Sequence, residues 1–151
     1  MLTLEFAFAL VYVCVHATRS TFVLGTAQQQ FEEKGDAEHN FATSRAFAWI
    51  VPAGVLVSPG VSWMLSSYGS LWTAHVVCAV GLLYGILLCL PLAAAIPMSV
   101  SFAVFRVALY AVLADFTGRT FGSKTIGSIT GILYSAAACF MFLQQPLTVI
   151  A

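Results

Sequence analysis

Charged side chains are what this sequence has least of. Its 151 residues include six Lys or Arg and six Asp or Glu, or 8% charged, where soluble proteins carry about 25%. Hydrophobic residues make up 60% of the chain, and a soluble fold of this length could not keep that much apolar surface from water. The composition therefore predicts an all-α integral membrane protein with several transmembrane helices.

The few charges also form no cluster, and this argues against two classes of partner. The net charge is zero and the basic residues are scattered, so the sequence has no electrostatic footprint for nucleic acid or an anionic lipid surface. The four cysteines lie in apolar runs without a CxxC pair, which argues against a disulfide framework and a zinc site. We expect no nucleic-acid partner, no metal and no cofactor.

The N-terminus lacks the positive charge that begins a signal peptide. Glu5 is the ionisable side chain that precedes the first apolar run, and it is acidic. A signal peptide cleaved after Ala17 is the alternative, but the missing basic residues favour an intact membrane helix.

Apolar runs predict five spans within one helical domain. A polar loop at residues 31–40, a turn at 66–70, Pro91 and a charged turn at 115–124 separate them. Pro52 and Pro59 predict a bend in the second span, because proline removes a backbone donor. The predicted spans are residues 2–27, 41–65, 71–90, 98–114 and 124–145.

Polar residues on the first span recur at helical spacing. Steps of 7, 4, 3, 7 and 4 residues place six of them on one face, and such a stripe must contact protein or a watery cavity. The alternative is that the outermost two lie at the membrane surfaces, while the histidine and arginine are buried by packing or in an ion pair. The six are Glu5, Tyr12, His16, Arg19, Thr26 and Gln30.

Arg106 stands inside the fourth apolar run, where a guanidinium in hydrocarbon is disfavoured by at least about 2.5 kcal/mol. Ser99 and Tyr110 share its helical face at steps of 7 and 4. Asp115 lies on the opposite side and is predicted to pair with Arg119 if the helix continues that far.

Two rows of small residues predict close packing between helices, because small side chains let backbones approach. The first row is Val77, Gly81, Gly85 and Cys89, and the second is Gly127, Gly131, Ser135 and Cys139.

Five short segments of this sequence form a recognisable set: Phe105-Arg106, Phe121-Gly122, the segment 127–131, Phe142-Leu143-Gln144 before Pro146, and Phe22 to Thr26. They resemble motifs in the C-terminal half of a major facilitator superfamily transporter, in particular the branch of large neutral amino acid carriers. LADFTGR at residues 113–119 also resembles, in part, the superfamily's signature loop. The resemblance implies spans seven to eleven of twelve, hence a partial or truncated transporter.

This resemblance implies transport of a small polar solute, an amino acid, by alternating access to a cavity at the membrane midplane. Arg106 and Tyr110 would face that cavity, with His16 and Arg19 as further substrate-binding candidates. Arg106 would bind a substrate carboxylate or be neutralised by a carboxylate of the protein. His16 could take part in proton coupling, or be a structural histidine.

The main alternative is a non-transporting interaction or regulatory protein that packs against another membrane protein, or a missing transporter half, through its glycine rows. A membrane enzyme is disfavoured, because His16 and His75 lie on different spans and no nucleophile with a nearby base is evident.

Overall fold

The computed structural model describes residues 4–122 and 125–142, apart from the side chains at 38 and 39. Three stretches within them are long and apolar enough to cross a membrane: Leu4–Glu33, Ala42–Leu88 and Leu92–Phe121. The predicted all-helical fold is confirmed. The α-helices of the described chain are α1 (Leu4–Glu33), α2 (Ala42–Ala53), α3 (Ser58–Leu88), α4 (Ala95–Phe121) and α5 (Ile126–Phe142).

Helix α1 continues beyond the end of the first predicted span. The sequence predicts residues 31–33 in a loop, but α1 ends at Glu33 and Phe31 is only 1% exposed. The Phe31 ring lies edge-on to Phe47 at a centroid distance of 5.7 Å. The connection between α1 and α2 is therefore shorter than the sequence predicts.

Helix α4 also runs past its predicted end at Ala114, since it ends at Phe121. The segment 113–119 is thus helical. Arg119 Nε lies 2.8 Å from an Asp115 carboxylate oxygen, which confirms the pairing expected for a continued helix. Lys124 and residues 143–145 of the last predicted span lie outside the described residues.

The chain divides into two compact units, with the divisions inside α1 and α4. We call Thr26–Val112 the central unit, and Met1–Gly25 with Leu113–Ala151 the terminal unit.

In the central unit, α3 reverses direction at Gly69. This residue has φ 81° and ψ 170°, outside the helical region. Val57 and Val80, on opposite sides of Gly69, line one apolar cavity of about 160 Å³. An unbroken helix would hold those two residues about 34 Å apart, so the two halves of α3 must lie side by side. The reversal falls within the predicted turn at 66–70.

Aromatic rings and one close backbone contact form the core of the central unit. Phe102 stacks on Phe47 at 5.8 Å and lies edge-on to Tyr84 at 5.5 Å. Gly54, in the 3₁₀ turn between α2 and α3, packs directly on α4. A Cβ atom at Gly54 would lie 3.0 Å from the Ala103 Cβ and 3.2 Å from the Ala103 carbonyl oxygen. Glycine therefore permits this approach of the two helices.

The core of the terminal unit is built from smaller aliphatic side chains of α1, α4 and α5. Leu133 and Ala137 of α5 are at most 1% exposed. The buried cluster comprises Val13, Cys14, Ala17, Leu113, Leu133 and Ala137.

The two small-residue rows have opposite surroundings. In α3, Val77 and Gly81 are buried, as the packing prediction requires, but Gly85 is half-buried and Cys89 is exposed. In α5, Cβ atoms added at Gly127 or Gly131 would meet nothing within 4 Å. Ser135 and Cys139, in the same row, are also exposed. The α5 row therefore makes no close helix contact within the described residues, and its packing against another helix stays a prediction.

Candidate functional site

Arg106 lies well inside α4. Eleven residues of the helix precede it and fifteen follow, and its side chain is half-buried. Tyr110, one turn later, is 39% exposed. Ser99 is 1% exposed and donates its hydroxyl to the Ala95 carbonyl at 2.6 Å. The helix thus places a guanidinium, a phenol and a locally bonded hydroxyl on one face, as the spacing indicated.

Arg19 occupies the corresponding position in α1, with fifteen residues before it and fourteen after. It is half-buried, and His16, one turn earlier, is 7% exposed. The His16 ring contacts Tyr12 at a centroid distance of 4.5 Å. The predicted stripe is therefore not uniform, since Glu5 is exposed whereas His16 belongs to the packed face.

The four substrate-binding candidates fall into both units: His16 and Arg19 in the terminal unit, Arg106 and Tyr110 in the central unit. The apolar cavity of the central unit is a different feature. Val104 and Ala108 of α4 line it, and residues two positions further along a helix point about 200° away. Arg106 and Tyr110 therefore do not belong to the face that lines this cavity.

Ser20 is a polar residue of α1 that the sequence did not single out. It is 2% exposed, and its Oγ has no hydrogen-bond partner among the described residues. It lies one turn after His16, on the same side of the helix. Its position four residues after His16 could have indicated that the two share a helix face. Ser20 is not among the six polar residues whose spacing predicted the stripe on the first span.

The loop between α1 and α2 contains a second polar group that the sequence did not resolve. Asp36 is fully buried and accepts hydrogen bonds from the backbone N–H groups of Thr43 and Ser44, at 3.0 and 2.9 Å. Burial would raise the Asp36 pKa, but hydrogen bonds from the side chains and backbones of Ser44 and Thr43 outweigh it and lower the pKa to about 2. Asp36 thus caps α2 from six residues before its first residue, Ala42.

Lys34, in the same loop, forms hydrogen bonds to backbone carbonyls at the end of α3. Its Nζ donates to the Leu88 carbonyl and, at 2.8 Å, to the Leu90 carbonyl. Carbonyls at a helix C-terminus have no partner in their own helix, and a cation there also interacts favourably with the negative end of the helix dipole. The beginning of α2 and the end of α3 therefore lie at the same end of the central unit.

Comparisons with protein-family models, with curated proteins and with solved structures each found no match. The transporter resemblance stays a prediction from the sequence motifs. In the part of the chain that the structure describes, no group of three or more His, Cys, Asp or Glu side chains is placed to hold a metal ion.

Proposed function

We propose that this chain is part of a multi-pass membrane transporter that moves a small polar solute, an amino acid, by alternating access. One observation carries the proposal: two arginines lie near the middle of long apolar helices, Arg19 in α1 and Arg106 in α4. Arginine at such depth usually faces a protein interior or a water-filled cavity and marks the pathway of an ion or substrate.

The chemistry of arginine indicates what such a pathway would accept. Its planar guanidinium presents paired donors that match the two oxygens of a carboxylate. Tyr110, one turn from Arg106, adds a hydroxyl that can donate or accept. An amino acid carries the required carboxylate, and the transporter resemblance of the Phe105-Arg106 motif points to the same solute class.

The central unit supports a multi-pass arrangement. Because Lys34 holds the end of α3 beside the loop that begins α2, the segment Ala42–Leu88 starts and finishes at the same end. A segment that does so within a bilayer crosses it an even number of times. We therefore propose two crossings here, which with α1, α4 and α5 gives five spans and a place in the lipid bilayer as an integral membrane protein.

Arg106→Ala tests the proposal by uptake of radiolabelled L-leucine into vesicles reconstituted with the purified protein. We expect the initial rate to fall by about 100-fold or more, since the proposed paired contact with the substrate carboxylate supplies two hydrogen bonds to a charged group, each contributing about 1.5–3 kcal/mol. Membrane insertion should persist, because removing a charge makes an apolar helix easier to insert. Arg106→Lys should recover only part of the rate, since lysine cannot form the paired contact.

Arg119→Ala is the matched control. Arg119 lies in the last turn of the same helix with its side chain 60% exposed, so its loss should leave uptake within about twofold of the parent, as expected for an exposed ion pair. Full uptake by Arg106→Ala would contradict the role of Arg106. Absence of L-leucine uptake by the parent, alone or with a second membrane protein, would contradict amino acid transport.

A second candidate function is a membrane interaction or regulatory protein. The exposed row on α5 favours it, since Gly127 and Gly131 leave space at the helix surface that another helix could fill. The partner would be the missing half of a transporter or another membrane protein. In that case both the parent and Arg106→Ala would fail to transport, while membrane insertion would remain intact.

A further inference from the structure

We propose that the aromatic side chains on both sides of the reversal at Gly69 anchor the central unit in the headgroup region of the bilayer. This inference rests on the proposed function, because it takes Ala42–Leu88 to cross the bilayer twice. It adds an interaction surface whose partner is the lipid interface. The surface, which we call the aromatic surface, consists of Trp63, Tyr68 and Trp72.

The three side chains of the aromatic surface are exposed, although they are large and mostly apolar. Trp63 is 64% exposed, Tyr68 61% and Trp72 69%. The Trp63 and Tyr68 rings lie edge-on at a centroid distance of 6.0 Å, and the Trp72 ring lies 6.3 Å from that of His75. The rings therefore form two neighbouring pairs, one before Gly69 and one after it.

The length of the second limb of α3 places these rings close to one face of the bilayer. From Ser70 to Leu88 the helix rises about 27 Å, which nearly matches the hydrocarbon thickness of about 30 Å. Lys34 donates to the Leu88 and Leu90 carbonyls, and its charge favours a position of that end near water. The reversal at Gly69 then lies near the headgroups of the opposite face.

Polar side chains around the reversal fit the same level. Ser66 and Ser67 are exposed, and so is His75, whose Nδ1 lies 2.8 Å from the Leu71 carbonyl oxygen. Exposed hydroxyl and imidazole groups are unfavourable in hydrocarbon, because lipid chains offer no hydrogen bonds. Trp72 is three residues from Gly69, or about 4 Å along the helix, and so lies at the level of these polar groups.

Tryptophan and tyrosine suit this level because each combines an apolar ring with one polar group. The indole N–H donates a hydrogen bond, and the phenol hydroxyl donates or accepts one. The rings can therefore lie among the upper parts of the acyl chains while their polar groups reach water or lipid headgroups. This chemistry identifies the partner of the aromatic surface as the headgroup region rather than the hydrocarbon.

The test measures the depth of the Trp72 indole in the full chain, purified and reconstituted into phosphatidylcholine vesicles. The sequence contains three tryptophans, so the double variant Trp49→Phe/Trp63→Phe leaves Trp72 as the sole tryptophan. Its fluorescence is quenched with lipids brominated either near the headgroup or near the chain end. We expect bromines near the headgroup to quench Trp72 at least about twofold more strongly, as for an interfacial ring.

Ala79→Trp, in a chain with all three native tryptophans replaced by phenylalanine, is the matched control. Ala79 is exposed on the same limb, nine residues from both Ser70 and Leu88, and so lies at its middle. Bromines near the chain end should quench this tryptophan more strongly than those near the headgroup. Should these chains fail to fold, Trp72→Phe alone should remove part of the fluorescence that headgroup-proximal bromines quench.

The outcomes separate the anchor from the proposed function. If chain-end bromines quench Trp72 as they quench the Ala79→Trp chain, the anchor is overturned and the membrane crossing stands. An unquenched Trp72 beside a quenched Ala79→Trp chain also overturns it, because the turn then projects into water or is covered by another protein. If neither chain is quenched, both the anchor and the proposed crossings are overturned. Interfacial Trp72 in a parent that does not transport leucine supports the anchor and contradicts amino acid transport.

Discussion

Glycine serves different purposes in the two units of this molecule. In the central unit, Gly54 lies against α4 and Gly81 is buried in α3, so glycine brings parts of the unit together. In the terminal unit, Gly127 and Gly131 leave open space on α5. The sequence shows the same spacing of four around Gly81 and around Gly127. A row of small residues therefore identifies a helix face, but it does not indicate whether another helix packs against that face.

Gly54→Val should cause the largest loss of stability in the comparison of the two units. Its Cβ would lie 3.0 Å from the Ala103 Cβ, and a valine adds two further methyl groups to a contact that includes backbone atoms. We expect the central unit to lose about 1–3 kcal/mol of stability through overpacking, measured as a lower unfolding midpoint in detergent. Gly131→Val is the control and should cause no comparable loss. Equal losses in the two variants would show that Gly54 is not a packing contact.

Asp36→Ala should have the next largest effect, because polar capping also distinguishes the central unit. Loss of a helix cap costs about 0.5–2 kcal/mol of stability. Asp36 accepts hydrogen bonds from two backbone N–H groups of α2. Asp115→Ala in the terminal unit should cost at most about 1 kcal/mol, since it removes a pair whose arginine is largely exposed. Comparable losses in both variants would contradict the capping role of Asp36.

The stabilisation that the Asp36 cap provides should decrease at low pH. The folded-state pKa of Asp36, about 2, lies below the value of about 3.9 expected for an unfolded chain. Its contribution is therefore fully present above about pH 4 and disappears as the pH falls through about 2. The difference in unfolding free energy between the parent and Asp36→Asn should be constant from pH 5 to 8 and shrink below pH 4. A constant difference down to pH 2 would contradict this assignment.

Gly131→Leu should have the smallest effect on folding. The added side chain enters open space, and replacing a helical glycine stabilises a helix by up to about 1 kcal/mol. The unfolding midpoint should therefore stay the same or rise slightly. If α5 contacts another helix in the membrane, the same variant will reduce uptake or association despite its unchanged stability. A clear drop in the midpoint would show that α5 is covered within the chain.

The helical fold was predictable because apolar content reports which segments avoid water. The ends of the helices were not, because apolar length and helix length differ. Gln28 and Gln29 continue α1 through side-chain hydrogen bonds to Glu32 and Glu33, at 2.9 and 3.2 Å. The Asp115–Arg119 pair accompanies the extension of α4 in the same way. Such pairs stabilise a helix beyond its apolar part.

The candidate site was predictable only where spacing within one helix decides it. The shared face of Ser99, Arg106 and Tyr110 follows from helical geometry alone. Ser20 was missed because the sequence does not show whether a hydroxyl bonds to its own helix. Gly54 was missed because a single glycine gives no row, although a Cβ atom there would lie 3.0 Å from the Ala103 Cβ. Both depend on side-chain conformation or on a partner distant in sequence.

The reversal at Gly69 has a consequence for biogenesis. If Ala42–Leu88 enters the bilayer as the proposed hairpin, its two ends remain on the side where they began, held there by Asp36 and Lys34. The insertion machinery would then have to carry only the turn at residues 66–70 across the hydrocarbon. That turn, Ser-Ser-Tyr-Gly-Ser, contains no charged side chain. The hairpin is thus suited to co-operative insertion of both limbs in a single step.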